Sequence, residues 1–151
     1  RALAGVFMTA HIAGYVVHYF YPVPILPAFF PWPWWVSAVA AVVVSLPLTV
    51  VFLLGVKDAG SEALLPDRAN PMYGGIYQKI RHPQAVGELP SFVIIALLFH
   101  SPFVVLLSLL WLPAGYIFCV AEERDLVLRF GDAYRDYQSR TGMLWPKRGE
   151  S

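Results

Sequence analysis

Long apolar runs separated by short polar stretches dominate the chain. Residues 2–20 contain no Asp, Glu, Lys or Arg, and neither do residues 34–56. About 20 apolar residues are enough for a helix to cross the hydrocarbon core of a bilayer. The pattern therefore predicts two N-terminal membrane spans within residues 1–56. The loop between them, residues 21–35, is rich in proline and aromatic side chains, which suit a membrane–water boundary.

The second half of the chain predicts a helical hairpin. Residues 57–82 are polar and rich in Gly, Asp, Asn and Pro, so they form a loop outside the hydrocarbon. Residues 83–100 and 103–121 are again apolar, and a Ser-Pro pair breaks the run between them. We expect residues 83–121 to form an antiparallel hairpin whose arms are each near the lower length limit for spanning.

The last segment, residues 122–151, changes to an amphipathic pattern. We expect one helix over residues 122–140, followed by a basic tail. Five residues at helical spacings share one face of that helix: Glu123, Val127, Phe130, Tyr134 and Tyr137. A carboxylate therefore stands at the head of the apolar stripe.

Composition places the chain in the membrane class. It has 151 residues, of which 58% are hydrophobic and only 14% charged, against about 25% charged in soluble domains. This length fits one domain. A net charge of +1 gives no reason to expect nucleic acid as a partner. Cys119 is the one cysteine, so an internal disulfide is excluded. The predicted fold class is an all-α integral membrane protein with about four transmembrane segments.

The positions of the basic residues predict the orientation. All eleven Lys and Arg fall on the side shared by the N-terminus, the middle loop and the C-terminal tail of a four-span arrangement. Cytoplasmic loops are enriched in Lys and Arg. We therefore expect residues 57–82 and residues 122–151 to face the cytoplasm.

The two ends of the predicted hairpin 83–121 are flanked by polar and charged residues on the cytoplasmic side. Tyr77, Arg81 and His82 precede the first arm, and Glu122 and Glu123 follow the second. Feet of a short hairpin lie within a helix packing distance of about 8–10 Å. A pocket here would combine donors, carboxylates and aromatic faces beside a lipid-accessible groove. It suits a positively charged cofactor on one side and an apolar substrate on the other.

These motifs resemble those of the isoprenylcysteine carboxyl methyltransferase family and its relatives, the membrane phospholipid methyltransferases. The resemblance covers residues 75–146, about half of the chain. It consists of two linked patterns, Gly75-x-Tyr77-x-x-x-Arg81-His82-Pro83 and Glu122-Glu123-x-x-Leu126-x-x-x-Phe130-Gly131-x-x-Tyr134-x-x-Tyr137, with a terminal Pro146. The hairpin stands between them in the right order, which makes the pair specific.

The resemblance implies an integral membrane enzyme that uses S-adenosylmethionine and takes a lipophilic small-molecule or lipid-modified acceptor from the bilayer. Carried over residue by residue, the cofactor site comprises Gly75, Tyr77, Arg81, His82, Pro83, Glu122 and Glu123. Carboxylates suit this site because the sulfonium and amino groups of the cofactor are cationic. Arg140 matches a position that would orient an acceptor carboxylate. The catalytic residues that the resemblance implies are Arg140 and His82.

Several alternatives stay open. The family's tyrosine two residues after the proline is replaced by Ala85, which leaves the acceptor undecided. The best single acceptor class is a carboxylate on an apolar tail, chiefly because of Arg140, while a phospholipid amine or a small thiol stays open. A nicotinamide-dependent enzyme like the sterol reductases and a non-catalytic membrane subunit are the rival classes. The histidines at 11, 18 and 100 are too weak a pattern to predict a metal or haem.

Overall fold

A computed structural model describes residues 2–21, 25–60 and 74–147, apart from the side chains at 2–5, 7, 8, 11 and 19. These residues form seven α-helices and no β-strand. The helices are α1 (Ala2–Phe20), α2 (Trp34–Ala59), α3 (Pro83–Glu88), α4 (Ser91–Leu98), α5 (Pro102–Leu109), α6 (Trp111–Phe130) and α7 (Asp132–Arg140). A 3-10 turn, Gly75–Gln78, precedes α3. The all-helical prediction is confirmed for this part of the chain.

Two helical stretches in the described residues have the length and composition needed to cross a membrane. They are Trp34–Ala59, with a mean hydropathy of 2.6, and Pro102–Phe130, with a mean hydropathy of 2.3. Pro83–Leu98 is apolar but shorter. Most side chains of α2 are exposed, as expected for a helix that lipid rather than protein surrounds. The number of four spans stays a prediction.

The chain divides into two compact units, and the first comprises Arg1–Leu46 and Leu89–Phe118. In it α5 packs against α4 and α1. Tyr15 Oη donates to the Phe92 carbonyl oxygen at 3.0 Å and shares a short hydrogen bond with Ser108 Oγ. Polar groups inside an apolar bundle need such partners because no water is present to supply them. This network therefore ties α1 to the hairpin formed by α4 and α5.

His18 and His100, two of the four histidines, lie at one end of this first unit. His18 Nε2 lies 3.2 Å from Ser101 Oγ, and His100 Nδ1 lies 2.8 Å from Ser37 Oγ. Ser101 begins α5, since its Oγ accepts a hydrogen bond from the Val104 backbone N–H. His18 thus contacts the residue that follows His100 in the sequence. The side chain of His11 lies outside the described residues.

The second unit comprises Pro47–Glu88 and Cys119–Ser151. It contains the C-terminal part of α2, the 3-10 turn, α3, the charged end of α6, and α7. Helix α3 begins at Pro83, as predicted, because a proline needs no N–H partner in the first turn. Residues 61–73 of the predicted loop and Arg148 of the predicted tail lie outside the described residues.

Helix boundaries in the predicted hairpin differ from the expectation. The run 83–100 is not one helix, because it is interrupted between Glu88 and Ser91 at Pro90, which has no N–H to give to the ladder. Helix α2 continues past the predicted end before Lys57 to Ala59. A lysine is favourable there, because the C-terminal end of a helix carries a partial negative charge.

The charged C-terminal block also differs from the prediction. Residues 122–140 are not a separate helix, because α6 continues without a break from Trp111 through the glutamates to Phe130. The break comes at Gly131, whose φ of +58° is a left-handed conformation that glycine adopts without strain. Helix α7 then begins at Asp132. The predicted face is nevertheless the less exposed one, since Glu123, Tyr134 and Tyr137 are all buried.

Candidate functional site

Within the second unit, the segment before α3 is held by the segment that follows α7. The backbone N–H of Arg81 donates to the Gly142 carbonyl oxygen at 2.8 Å, and that of His82 donates to the Met143 carbonyl oxygen at 3.1 Å. Ile80 and Gly142 form an isolated parallel bridge. The residues that carry the first motif are therefore fixed by a short two-stranded contact.

Helix α7 adds a side-chain contact to the same segment. Tyr137 Oη donates to the Tyr77 carbonyl oxygen at 2.6 Å, and both side chains are buried. Tyr137 accepts in turn from Thr141 Oγ1 at 2.6 Å through its own carbonyl oxygen. The contact joins the 3-10 turn to the last helix across 60 residues of sequence. Such long-range bonds between buried groups are costly to break, since each leaves an unsatisfied partner.

Arg81 and Glu123 form a bidentate ion pair. Arg81 Nε lies 2.5 Å from Glu123 Oε1, and Arg81 Nη2 lies 3.2 Å from Glu123 Oε2. The two side chains are only 9% and 11% exposed. Glu123 Oε2 also accepts from Gln138 Nε2 at 2.8 Å. The pair therefore lies in a low-dielectric environment with its charges matched.

The remaining donors of Arg81 point to the end of α7. Arg81 Nη1 donates to the Gln138 carbonyl oxygen at 3.2 Å and makes a short hydrogen bond to that of Thr141. Carbonyl oxygens at a helix C-terminus lack intrahelical partners and carry a partial negative charge. Arg81 thus caps α7 while it neutralises Glu123.

His82 lies between the two glutamates. Its Nδ1 is 3.6 Å from Glu122 Oε2, and its Nε2 is 3.3 Å from Glu123 Oε1. The imidazole is buried, and within the described residues its Nε2 has no partner in hydrogen-bond geometry. Glu122 differs from Glu123, because its side chain is 64% exposed. The arrangement presents one carboxylate to the surroundings beside a buried imidazole.

The 3-10 turn is built around Gly75 and Asp58. Gly75 has a φ of +56°, and a β-carbon at this position would collide with the Asp58 carboxylate. Asp58 Oδ2 accepts from the Ile76 backbone N–H at 2.7 Å. Burial raises the pKa of Tyr77 to about 12, and the negative charges of Glu122 and Asp58 act in the same direction. Tyr77 is therefore a neutral hydrogen-bonding group at physiological pH.

An open cleft of about 530 Å³ lies beside Glu123. It runs along one side of the end of α6 and reaches α7. Its lining residues are Val120, Glu123, Arg124, Val127, Leu128 and Gln138. The aliphatic side chains recur at helical spacing, so the cleft offers an apolar wall next to a polar corner. This combination suits a small apolar ligand with one polar group.

The structure brings together most of the residues predicted for the site. Four of them form one group of ion-pair contacts in the second unit: Arg81, His82, Glu122 and Glu123. Tyr77 is near enough for the charge of Glu122 to raise its pKa. Gly75 and Pro83 flank them in sequence at the 3-10 turn and at the start of α3. Arg140 is 70% exposed and forms a short ion pair with Asp136. The catalytic and cofactor-binding roles of all these residues stay predictions.

Three residues of the site were not predicted from the sequence. Gln138 and Thr141 supply partners to Glu123 and Arg81, and Asp58 supports the 3-10 turn. Asp58 carried only the signal of a carboxylate in the last turn of an apolar helix, because its partner Ile76 lies 18 residues away. Gln138 and Thr141 carried none, since their partners lie 15 to 60 residues away.

Comparison with known proteins places the chain in a family. The phospholipid methyltransferase family matches residues 53–133, which contain the whole first motif and the second motif as far as Gly131. The chain belongs to this family. Its membership confirms the predicted resemblance to a family of membrane methyltransferases, and the two apolar helices agree with a membrane location.

Two curated proteins are similar to part of the chain. The chain is 35% identical over 103 residues to a protein of Pseudomonas deceptionensis named methanethiol S-methyltransferase, a match that covers 62% of this chain and 36% of that protein. A protein of Bradyrhizobium diazoefficiens named methanethiol S-methyltransferase 1 is 36% identical over 93 residues, covering 59% and 30%. The chain thus spans about a third of the length of these relatives. No solved structure matches the chain.

Proposed function

We propose that the chain is an S-adenosylmethionine-dependent methyltransferase whose acceptor is a small thiol. The observation that carries this proposal is the exposed Glu122 carboxylate held 3.6 Å from His82. Membership of the phospholipid methyltransferase family supports a methyl-transfer reaction. The names of the curated relatives support the thiol acceptor over the other acceptor classes.

The residues of this corner fit the donor. S-adenosylmethionine carries a sulfonium and an amino group, both cationic, and a carboxylate stabilises either through a charge-assisted contact. Glu122 supplies an exposed carboxylate, and Tyr77 supplies a buried aromatic ring whose pKa that carboxylate raises. When bound, the donor supplies a methyl group that moves to the acceptor sulfur as its own carbon–sulfur bond breaks.

The protein's part is to align the acceptor and to accept its proton. A thiol reacts through its thiolate, so transfer requires that a proton leave the acceptor sulfur. His82 is the group suited to take it, since imidazole is the usual general base near neutral pH. The apolar wall formed by Val120, Val127 and Leu128 would hold the acceptor and exclude water from it.

A carboxylate acceptor is the second candidate. It rests on Arg140, whose guanidinium is 70% exposed and whose partner Asp136 is itself exposed. An exposed ion pair is worth little, so a substrate carboxylate could exchange with Asp136 at small cost. The names of the relatives do not support this acceptor, and we rank it below the thiol.

We also propose that the site faces the cytoplasm in a four-span arrangement. The support is the distribution of the eleven Lys and Arg residues, which all fall on one side of that arrangement. The donor is a soluble cytosolic metabolite in this scheme, and the acceptor reaches the apolar cleft from the bilayer or from solution.

The test is a binding and transfer assay on the purified chain in detergent. We expect S-adenosylhomocysteine to raise the melting temperature, and labelled donor to methylate a short alkanethiol. Glu122→Gln should reduce the affinity for S-adenosylhomocysteine and the rate of methyl transfer by about tenfold or more, because it removes the charge and keeps the shape. Glu88→Gln, at an exposed position of α3, is the matched control and should change neither.

Other outcomes would point to the rival functions. Stabilisation by NADPH instead of S-adenosylhomocysteine would indicate a reductase. S-adenosylhomocysteine binding without transfer to a thiol, a carboxylate or a phospholipid amine would indicate a non-catalytic subunit. Transfer to a carboxylated apolar tail but not to the thiol would replace the first acceptor with the second.

A further inference from the structure

The two adjacent glutamates differ in how completely their oxygens are used. Glu123 Oε1 faces Arg81 Nε and His82 Nε2, and Glu123 Oε2 accepts from Arg81 Nη2 and from Gln138. A carboxylate offers about four lone-pair directions. Each oxygen of Glu123 thus has two nitrogens around it, and the group is only 11% exposed.

Arg81 is equally committed. Its Nε and Nη2 serve Glu123, and its Nη1 serves the Gln138 and Thr141 carbonyl oxygens. A guanidinium has five N–H donors, of which four are accounted for by these contacts. Its side chain is 9% exposed. A ligand could reach Arg81 or Glu123 only by breaking a buried bidentate pair, which is costly.

Glu122 is the opposite case. Its side chain is 64% exposed, and its ion-pair contact with His82 is a loose 3.6 Å. A ligand cation could approach it without displacing a protein donor from hydrogen-bond distance. The negative charge of Glu123 is neutralised by Arg81, so the charge left to attract a cation at this corner is that of Glu122.

We infer that the two glutamates have separate duties in the proposed reaction. Arg81 and Glu123 form a closed clasp that positions His82 and the segment after α7, and Glu122 alone meets the cationic cofactor. The inference deepens the proposed function and rests on it. It differs from the expectation from the resemblance, in which Arg81 and both glutamates contact the cofactor.

The clasp influences His82 through the backbone next to Arg81 and through the segment after α7. Arg81 is covalently next to His82, and both pair through their backbone N–H groups with residues 142–143. Arg81 Nη1 also holds the end of α7, from which that segment leaves. Loss of the clasp would therefore loosen the position of His82 relative to Glu122. Arg81 and Glu123 are positioning residues in this scheme.

A cycle of neutral substitutions in the whole chain tests the division. We expect Arg81→Gln and Glu123→Gln each to lower the melting temperature by about 5 °C or more, because each leaves a buried charge unpaired. The double variant should recover at least about half of that loss, because two amides can pair without charge. Glu122→Gln should leave the melting temperature without ligand unchanged.

The affinity for S-adenosylhomocysteine, measured by calorimetry in detergent, supplies the decisive comparison. We expect Glu122→Gln to raise Kd about tenfold or more, and the double variant to stay within about threefold of the unaltered chain. A double variant that recovers its stability but binds ten times more weakly would overturn the inference. So would a Glu122→Gln variant with an unchanged Kd, or single substitutions whose effects on stability simply add.

Failure of the proposed function has a different signature. In that case the unaltered chain itself does not bind S-adenosylhomocysteine. The assignment of Glu122 to the cofactor then falls with the function. The clasp is judged separately by the melting temperatures, which need no ligand.

Discussion

The carboxylate of Asp58 occupies the place where a β-carbon of residue 75 would stand. Asp58 lies in the last turn of α2 and accepts a hydrogen bond from the Ile76 backbone N–H, 18 residues further along the chain. Residue 75 can make room for it only as glycine, and its φ of +56° imposes the same choice. The first glycine of the motif is thus explained by a packing contact. This explanation does not depend on any ligand.

Replacement of Gly75 by alanine should therefore destabilise the protein. We expect Gly75→Ala to reduce the free energy of unfolding by about 1–3 kcal/mol, through left-handed strain and displacement of Asp58. Gly74→Ala is the control, since Gly74 has a φ of −88° and no atom lies within 4 Å of its would-be β-carbon. Thermal unfolding in detergent measures both. Equal melting temperatures for the two variants would contradict the packing explanation.

Tyr77 should make the stability fall at alkaline pH. Its pKa is raised from an ordinary value of 10 to about 12 in the folded chain, so the native state keeps a proton that the unfolded state releases. The contribution of this proton to the free energy of unfolding is fully present below pH 10 and is lost as the pH rises through about 12. We expect Tyr77→Phe to flatten the decline of melting temperature over this window. Tyr21→Phe, at an exposed position, should keep the wild-type slope.

Arg140 separates the two acceptor classes. We expect Arg140→Ala to lower transfer to a carboxylate acceptor and to leave transfer to an alkanethiol unchanged. Its exposed pair with Asp136 contributes little, so the free energy of unfolding should change by less than about 0.5 kcal/mol. Arg135→Ala is the matched control, because Arg135 is similarly exposed and paired with Asp132 on the same helix. Equal transfer rates for both variants with both acceptors would remove Arg140 from the site.

The proposed orientation can be tested with two single cysteines. Ser139 is exposed on α7, and Ile25 is 88% exposed in the loop before α2. A membrane-impermeant maleimide should label Ser139→Cys in inside-out vesicles and Ile25→Cys in right-side-out vesicles. Cys119 is buried and should add little background. The reverse pattern would place the site on the other side of the membrane.

Hydrophobic periodicity and motif spacing determined a large part of this picture. The uncharged runs predicted α1 and α2. About 20 uncharged residues are long enough to span the hydrocarbon core, and a helix pairs its own backbone N–H and C=O groups there. Pro83 predicted the start of α3, because the fixed φ and missing N–H of proline suit the first position of a helix. The paired motifs predicted the family and the meeting of His82 with the glutamates.

Only the tertiary structure distinguished the surroundings of neighbouring residues. Glu122 and Glu123 are chemically identical and adjacent, yet one is exposed and the other is enclosed by Arg81 and Gln138. The continuation of α6 to Gly131 decides which way each glutamate points, and the docking of α7 decides which one is covered. Sequence spacing acts over one or two helical turns, whereas these contacts join residues 15 to 60 positions apart. Burial, which depends on those distant contacts, encloses the carboxylate of Glu123 and leaves that of Glu122 exposed.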